Sequence, residues 1–178
     1  IQDLFKSDRV LIGGDESSSG QRAVKALVDI YANWIPREKI LTTNIWSSEL
    51  SKLASNEMLA QRISSINSLA GLCEKTGANI DELSKAIGMD HRIGSKFLKA
   101  SVGFGGSCFQ KDILNLVYLG KFYGLEEEAD YWNPVVKIHK NQKKRIAQTV
   151  HCNLDGDLKN NIIAPSGCAD TASTNDTR

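Results

Sequence analysis

Apolar residues recur along this chain in two different rhythms, and the change from one to the other divides it. Arg9-Val-Leu-Ile-Gly-Gly-Asp15 is a short apolar run closed by two glycines, which predicts a buried strand and a turn. Val24, Leu27, Val28 and Tyr31 then fall at helical spacing, predicting an amphipathic helix over residues 17–34. Beyond Pro36, Lys39-Ile-Leu-Thr-Thr43 predicts a second short strand. Strand, helix and strand make one βαβ unit. One such unit cannot cover both faces of a sheet, so it is expected to be the last piece of a larger α/β domain.

From Trp46 the rhythm becomes wholly helical. Leu50, Leu53, Ala60, Ile63, Ile66, Ala70 and Cys73 form one apolar stripe, which Gly77 is expected to end. Asn79-Ile-Asp-Glu82 has the N-cap and N3 residues of a capping box and predicts a short helix ending at Gly88. Gly103-Phe-Gly-Gly-Ser-Cys108 is a glycine-dense loop. Ile113, Leu114, Val117 and Tyr118 predict a helix after it, interrupted at Gly120 or Gly124. Residues 126–129 and 135–146 read as a last helical region, with Asn133-Pro134 marking a break or a helix start.

From about His151 the chain is expected to be polar and irregular. A short strand at Ile162-Ile163-Ala164 would be curtailed by Pro165, and the tail 170–178 would be poorly ordered on its own. The fold class this predicts is mainly α: a central helical domain preceded by a βαβ remnant and followed by a short irregular remnant.

Composition narrows the class without naming an activity. The balance of 41% hydrophobic and 24% charged residues is that of a globular protein, and a formal net charge of +1 exerts no long-range pull on nucleic acid. No apolar run approaches the ~18–20 residues of a membrane span. Cys73, Cys108, Cys152 and Cys168 form no CxxC pair, which argues against zinc and against a disulfide scaffold, and favours a reducing, cytoplasmic setting. His91, His139 and His151 have no metal-ligand spacing and read as surface or structural residues.

Four residues could carry chemistry. Cys108 sits where the glycine loop meets the first turn of a helix, where free amides and the positive end of the helix favour a thiolate. It is either a nucleophile or a small residue at a tight helix entrance. Asp112, one turn later, could activate water or simply stabilise the helix start. Lys52 and Asn56 form a second i, i+4 pair, suited to an oxyanion or merely solvated. No strand–GxGxxG–helix fingerprint occurs in these residues.

With these residues in place, the chain resembles the UDP-glucose/GDP-mannose dehydrogenase family. The resemblance runs through Asp8-Arg-Val-Leu-Ile-Gly-Gly-Asp15, Pro36-Arg-Glu-Lys-Ile-Leu-Thr-Thr-Asn44, Ser47-Ser-Glu-Leu-Ser-Lys-Leu-Ala-Ser-Asn56, Gln61-Arg-Ile-Ser-Ser-Ile-Asn67 and Phe97-Leu-Lys-Ala-Ser-Val-Gly-Phe-Gly-Gly-Ser-Cys-Phe-Gln-Lys-Asp112. It covers about residues 1–150. It implies that residues 1–44 end an NAD-binding Rossmann domain, that 45–150 form a helical substrate and dimerisation domain, and that 151–178 hold a degraded start of a UDP-binding domain.

The resemblance also implies roles. Cys108 would be the nucleophile, Lys52 and Asn56 would steady the reacting oxygen, and Asp112 would assist the hydrolytic water. Glu49, Lys99, Phe104 and Gly105 would help hold UDP-glucose, and Arg92 would reach substrate in a neighbouring subunit of a homo-oligomer. Cys108, Lys111 and Arg178 would lie near NAD. The implied reaction oxidises the sugar alcohol to a carboxylate in two hydride transfers through a Cys108 thioester. Neither the dinucleotide fingerprint nor most of the third domain is present, and Asp170-Thr171 departs from the family's Phe-Lys, so the chain is expected to be an inert fragment by itself. The other readings are a non-catalytic helical dimerisation module, or a related nucleotide-sugar enzyme acting on GDP-mannose.

Overall fold

The structure, a computed structural model, describes residues 2–105 and 107–154. The expected strand at 162–164 and the tail lie outside the described residues. The chain divides into two compact units between Ala54 and Ser55.

The first unit is the expected βαβ. After a single turn of helix, α1 (Gln2–Phe5), strand β1 (Val10–Gly14) leads to helix α2 (Ser18–Tyr31), and strand β2 (Ile40–Asn44) follows a 3-10 turn. The strands pair in parallel, from Val10 opposite Ile40 to Gly14 opposite Asn44. A Cβ on Gly14 would lie 2.1 Å from a methyl of Val24, so glycine there is what lets α2 settle onto β1. Ile12, Val24 and Ile35 are buried, while Leu27, Ile30 and Leu41 remain exposed within this chain. One βαβ unit covers one face of its sheet and leaves the other open.

Helix α3 (Ile45–Thr76) starts directly after β2 and runs on into the second unit. Its 32 residues span about 48 Å at 1.5 Å per residue. Its early turns belong with the first unit, where a Cβ on Gly13 would lie 2.4 Å from Ser48 Cβ. The expected stripe holds at Ala60, Ile66, Ala70 and Cys73, but Leu50 is exposed. Gly77, at φ 78°, ends the helix in the left-handed region that a side chain would disfavour. Asn79 Oδ1 then accepts from the amides of Asp81 and Glu82, opening α4 (Ile80–Gly88) as its sequence predicts.

Of the two glycines expected to interrupt the helix after the loop, Gly124 is the one that does, and the expected break at Pro134 is corrected. Helix α5 (Ser107–Phe122) runs through Gly120 without interruption. There a Cβ would lie 3.1 Å from Ala129 Cβ, so this glycine serves close helix packing rather than a break. The chain turns at Gly124 instead. Helix α6 (Glu126–Asn153) is likewise continuous, passing Pro134 and reaching beyond His151. Pro134 denies a helical donor to the carbonyl of Asp130, but both residues are exposed and water can replace it. Val135 and Val136 are buried immediately after the proline and hold the helix in place.

Helices α3, α5 and α6 share a core of Ala60, Phe104, Ile113, Val117, Ala129, Val135 and Val136. Ser64 Oγ donates to the carbonyl of Val135 at 3.1 Å, a contact that needs short side chains between α3 and α6. One residue breaks the apolar rule. Glu57 is wholly buried, and neither carboxyl oxygen has a hydrogen-bond partner among the described residues. Burial pushes its pKa from an ordinary 4.5 up to about 8.

A group with a raised folded-state pKa stabilises fully below the unfolded value and progressively less as pH rises through the folded one. Glu57 should therefore cost stability between about pH 4.5 and pH 8, on the order of 5 kcal/mol in all. Glu57→Gln is expected to flatten that loss, raising the urea midpoint at pH 8 and changing it little at pH 4.5. An equal shift of the midpoint at both pH values would show that Glu57 is not the titrating group.

Candidate active site at the start of α5

Cys108 is the second residue of α5 and is exposed. Asp112, one turn further, is buried at 9% exposure. It accepts a hydrogen bond of 2.5 Å from Asn56 Nδ2 on α3. The two i, i+4 pairs seen in the sequence thus meet through one contact that links residues 56 positions apart. The amide nitrogen carries two hydrogens, so the second can serve a further acceptor on the same side. Lys52 stands one turn before Asn56 on the same helix and is exposed, as is Glu49.

The glycine loop is held by side chains rather than by a backbone ladder. Asn67 Oδ1 accepts from the amide of Ser101 at 2.8 Å, and Gln142 Nε2 donates to the Ser101 carbonyl at 2.7 Å. Arg145 donates to Gln142 Oε1 and pairs with Glu74 at 2.5 Å, fixing the orientation of the Gln142 amide. Ser84 Oγ donates to the carbonyl of Leu98. Upstream, the Arg62 guanidinium gathers the carbonyls of Ile93, Gly94 and Lys96 at 2.8, 2.6 and 2.9 Å.

The remaining residues singled out in the sequence fall in different settings. Lys99, Gly105 and Lys111 are exposed. Arg92 is exposed and forms a forked contact with Asp90 Oδ1 and Oδ2, which lowers the Asp90 pKa. Phe104 does not present its ring to solvent: it is buried, stacked on His139 and edge-on to Phe109. Arg178 lies outside the described residues. Sequence reasoning did not assign Arg62, Asn67, Gln142 or His139 to the loop. The legible signal was weak, amide and imidazole side chains on otherwise apolar helix faces.

A cleft of about 500 Å³ lies in the first unit at the carboxyl ends of β1 and β2, lined by Gly14, Asp15, Glu16, Asn44, Ile45 and Trp46. Parallel α/β sheets bind ligands at that edge. The start of α2 is not a phosphate cradle, because Ser17 Oγ takes the Gly20 amide and Asp15 takes the Ser17 amide. Those contacts from Ser17, side chain first, hold the Asp15 pKa down, and a carboxylate repels phosphate. Asp15 and Glu16 suit hydroxyl or amide donors instead, so the cleft fits at most the uncharged part of a dinucleotide. Among the described residues no cluster of His, Cys, Asp or Glu could hold a metal, and no helix is long and apolar enough to cross a membrane.

Residues 46–141 match the central domain of the UDP-glucose/GDP-mannose dehydrogenase family, and the chain belongs to that family. Over all 178 residues it is 58% identical to UDP-glucose 6-dehydrogenase 3 of Arabidopsis thaliana and 60% identical to UDP-glucose 6-dehydrogenase of Pongo abelii. It spans 37% and 36% of their lengths. A UDP-glucose dehydrogenase structure from Pyrobaculum islandicum superposes with a TM-score of 0.78 at 34% identity, covering 86% of this chain and 34% of that one.

The Asn56–Asp112 contact should be measurable as a coupling. Asn56→Ala is expected to destabilise the helical unit by about 1–3 kcal/mol, since it leaves a buried carboxylate short of a donor. A double-mutant cycle with Asp112→Ala, read by urea unfolding, should give a coupling energy above about 0.5 kcal/mol. Strict additivity would mean that the two residues do not act together.

Proposed function

We propose that this chain is the nucleophile-bearing central part of an NAD-dependent UDP-glucose 6-dehydrogenase that converts UDP-glucose to UDP-glucuronate in the cytoplasm. The observation that carries the reading is an exposed Cys108 in the first turn of α5, one turn from an Asp112 that is tied to Asn56. Close likeness to proteins named UDP-glucose 6-dehydrogenase supports the substrate.

In this reading the C6 alcohol first loses a hydride and a proton, giving an aldehyde. The Cys108 sulfur adds to that carbon while its proton passes to the aldehyde oxygen, forming a thiohemiacetal, and loss of a second hydride together with the hydroxyl proton leaves a thioester. Water then cleaves the thioester, releasing the carboxylate and restoring the thiol. The covalent link keeps the aldehyde from escaping between the two oxidations. NAD, when bound, supplies the hydride acceptor.

Lys52 and the second Asn56 hydrogen are suited to steadying the oxygen on the reacting carbon. Asp112 lies one turn behind the sulfur and is suited to orienting the hydrolytic water. The exposed Lys99 and Gly105, with Glu49, would contact the sugar nucleotide. Phe104 would support that loop from beneath. Arg92 would reach the substrate of a neighbouring subunit in a homo-oligomer built on the helical unit, and Lys111 and Arg178 would lie near the cofactor.

In the full-length protein carrying this chain, Cys108→Ser should lower carboxylate production by at least about 10³-fold, followed by absorbance of the reduced cofactor and by product analysis. Undiminished carboxylate production by that variant would remove Cys108 from the mechanism. The 178 residues alone, with NAD and UDP-glucose, are expected to give no turnover.

A further inference from the structure

His139 is buried on α6, 35 residues in sequence from the loop it touches, and the proposed reaction gives it no task. Its Nδ1 accepts from the amide of Phe104 at 3.3 Å. Its ring lies flat against the Phe104 ring, with centroids 3.8 Å apart and planes 9° from parallel. The other side of this stack is Phe109, edge-on to Phe104 at 5.6 Å, and Phe109 is the residue next to Cys108. Gly103, at φ 141°, wraps the imidazole edge so closely that a Cβ there would lie 2.3 Å from Nδ1 and 2.6 Å from Cε1.

From this geometry we propose that His139 is a positioning residue for the nucleophile: as an acceptor imidazole it fixes Phe104, and through the Phe104–Phe109 contact it fixes the first turn of α5 and Cys108. The inference rests on the reading of Cys108 as the nucleophile. Acceptance at Nδ1 requires a neutral ring with its hydrogen on Nε2. Burial, followed by the charges of Lys143 and Lys140, keeps the ring neutral by pushing its pKa down to about 4. Gln142, on the next turn of α6, grips Ser101 in the same loop, so α6 holds the segment at two points.

The role separates an acceptor from mere bulk. In the full-length protein carrying this chain, His139→Leu keeps volume and loses the acceptor, whereas His139→Asn can place an oxygen near the Nδ1 position. Two readouts apply: hydrogen exchange at the Phe104 amide, and iodoacetamide alkylation of each cysteine resolved by peptide mass. Exposed Cys152 is the internal standard, and buried Cys73 reports opening of the core.

His139→Leu should speed exchange at Phe104 by at least about tenfold. It should also change the Cys108-to-Cys152 alkylation ratio by about threefold or more, because a frayed first turn no longer holds the Cys108 side chain in one setting. Cys73 should stay protected, and His139→Asn should return both readouts toward the parent. Unchanged exchange in His139→Leu, equal behaviour of the two variants, or Cys73 opening in step with Cys108 would each overturn the proposal. If Cys108→Ser still made carboxylate, the nucleophile reading would fail separately, and the exchange data would still report whether the latch exists.

Discussion

The site depends on how closely α3 can lie against its neighbours. Two helices approach only as far as the side chains between them permit. Here α3 presents Ala60 to the shared core and Ser64 to the backbone of Val135. Short residues at the point of contact bring the flanking amides within bonding range. Asn56 reaches Asp112 on α5, and Asn67, eleven residues along the same rod, reaches Ser101 in the loop. One rigid element therefore sets both the start of α5 and the loop that leads into it. A bulky side chain at position 60 would loosen both grips together.

The parts legible in the sequence were those built on local periodicity. Strand β1, helix α2 and strand β2 follow from short apolar runs and a 3.6-residue rhythm, and the ends of α3 and α4 from Gly77, Asn79 and Gly88. The start of α5 was legible because a glycine run followed by an apolar helix face has few other outcomes. Gly120, one of two candidate breaks, and Pro134 both lie inside continuous helices for a common reason. Their local preference is to break a helix, but Ala129 packs against the first and Val135 and Val136 anchor the turn after the second. Tertiary contact outweighed propensity in both places.

The candidate site was legible in halves. Spacing put Cys108 with Asp112 and Lys52 with Asn56, but nothing in either pair announces the bond between Asn56 and Asp112. The loop clamps were hidden for a stronger reason. Arg62, Asn67, His139 and Gln142 act mainly on backbone groups 31 to 41 residues away, and a backbone acceptor or donor leaves no mark on the identity of its residue. Phe104 shows the same limit from the other side. A phenylalanine between glycines in a binding loop reads as a ligand contact, yet its ring is the loop's anchor in the core.

The nucleophile proposed for this chain would need an open approach and a fixed position, which are opposing demands. In this structure those two properties fall on different residues. Cys108 is exposed, while Asp112, Phe104, His139 and Gln142 around it are buried. Ordering a residue outside regular structure costs roughly 1–2 kcal/mol in backbone entropy, and a typical hydrogen bond returns about 1 kcal/mol net. Each contact at Leu98, Ser101 and Phe104 therefore offsets only part of the cost of ordering the loop. Burial strengthens each of these bonds by excluding competing water and makes an orphaned partner costly. The two side chains that accept from backbone amides of this loop, Asn67 and His139, are accordingly uncharged. A charged side chain in these positions would bring a desolvation cost larger than the bond it makes, and the loop would be held less firmly than it is.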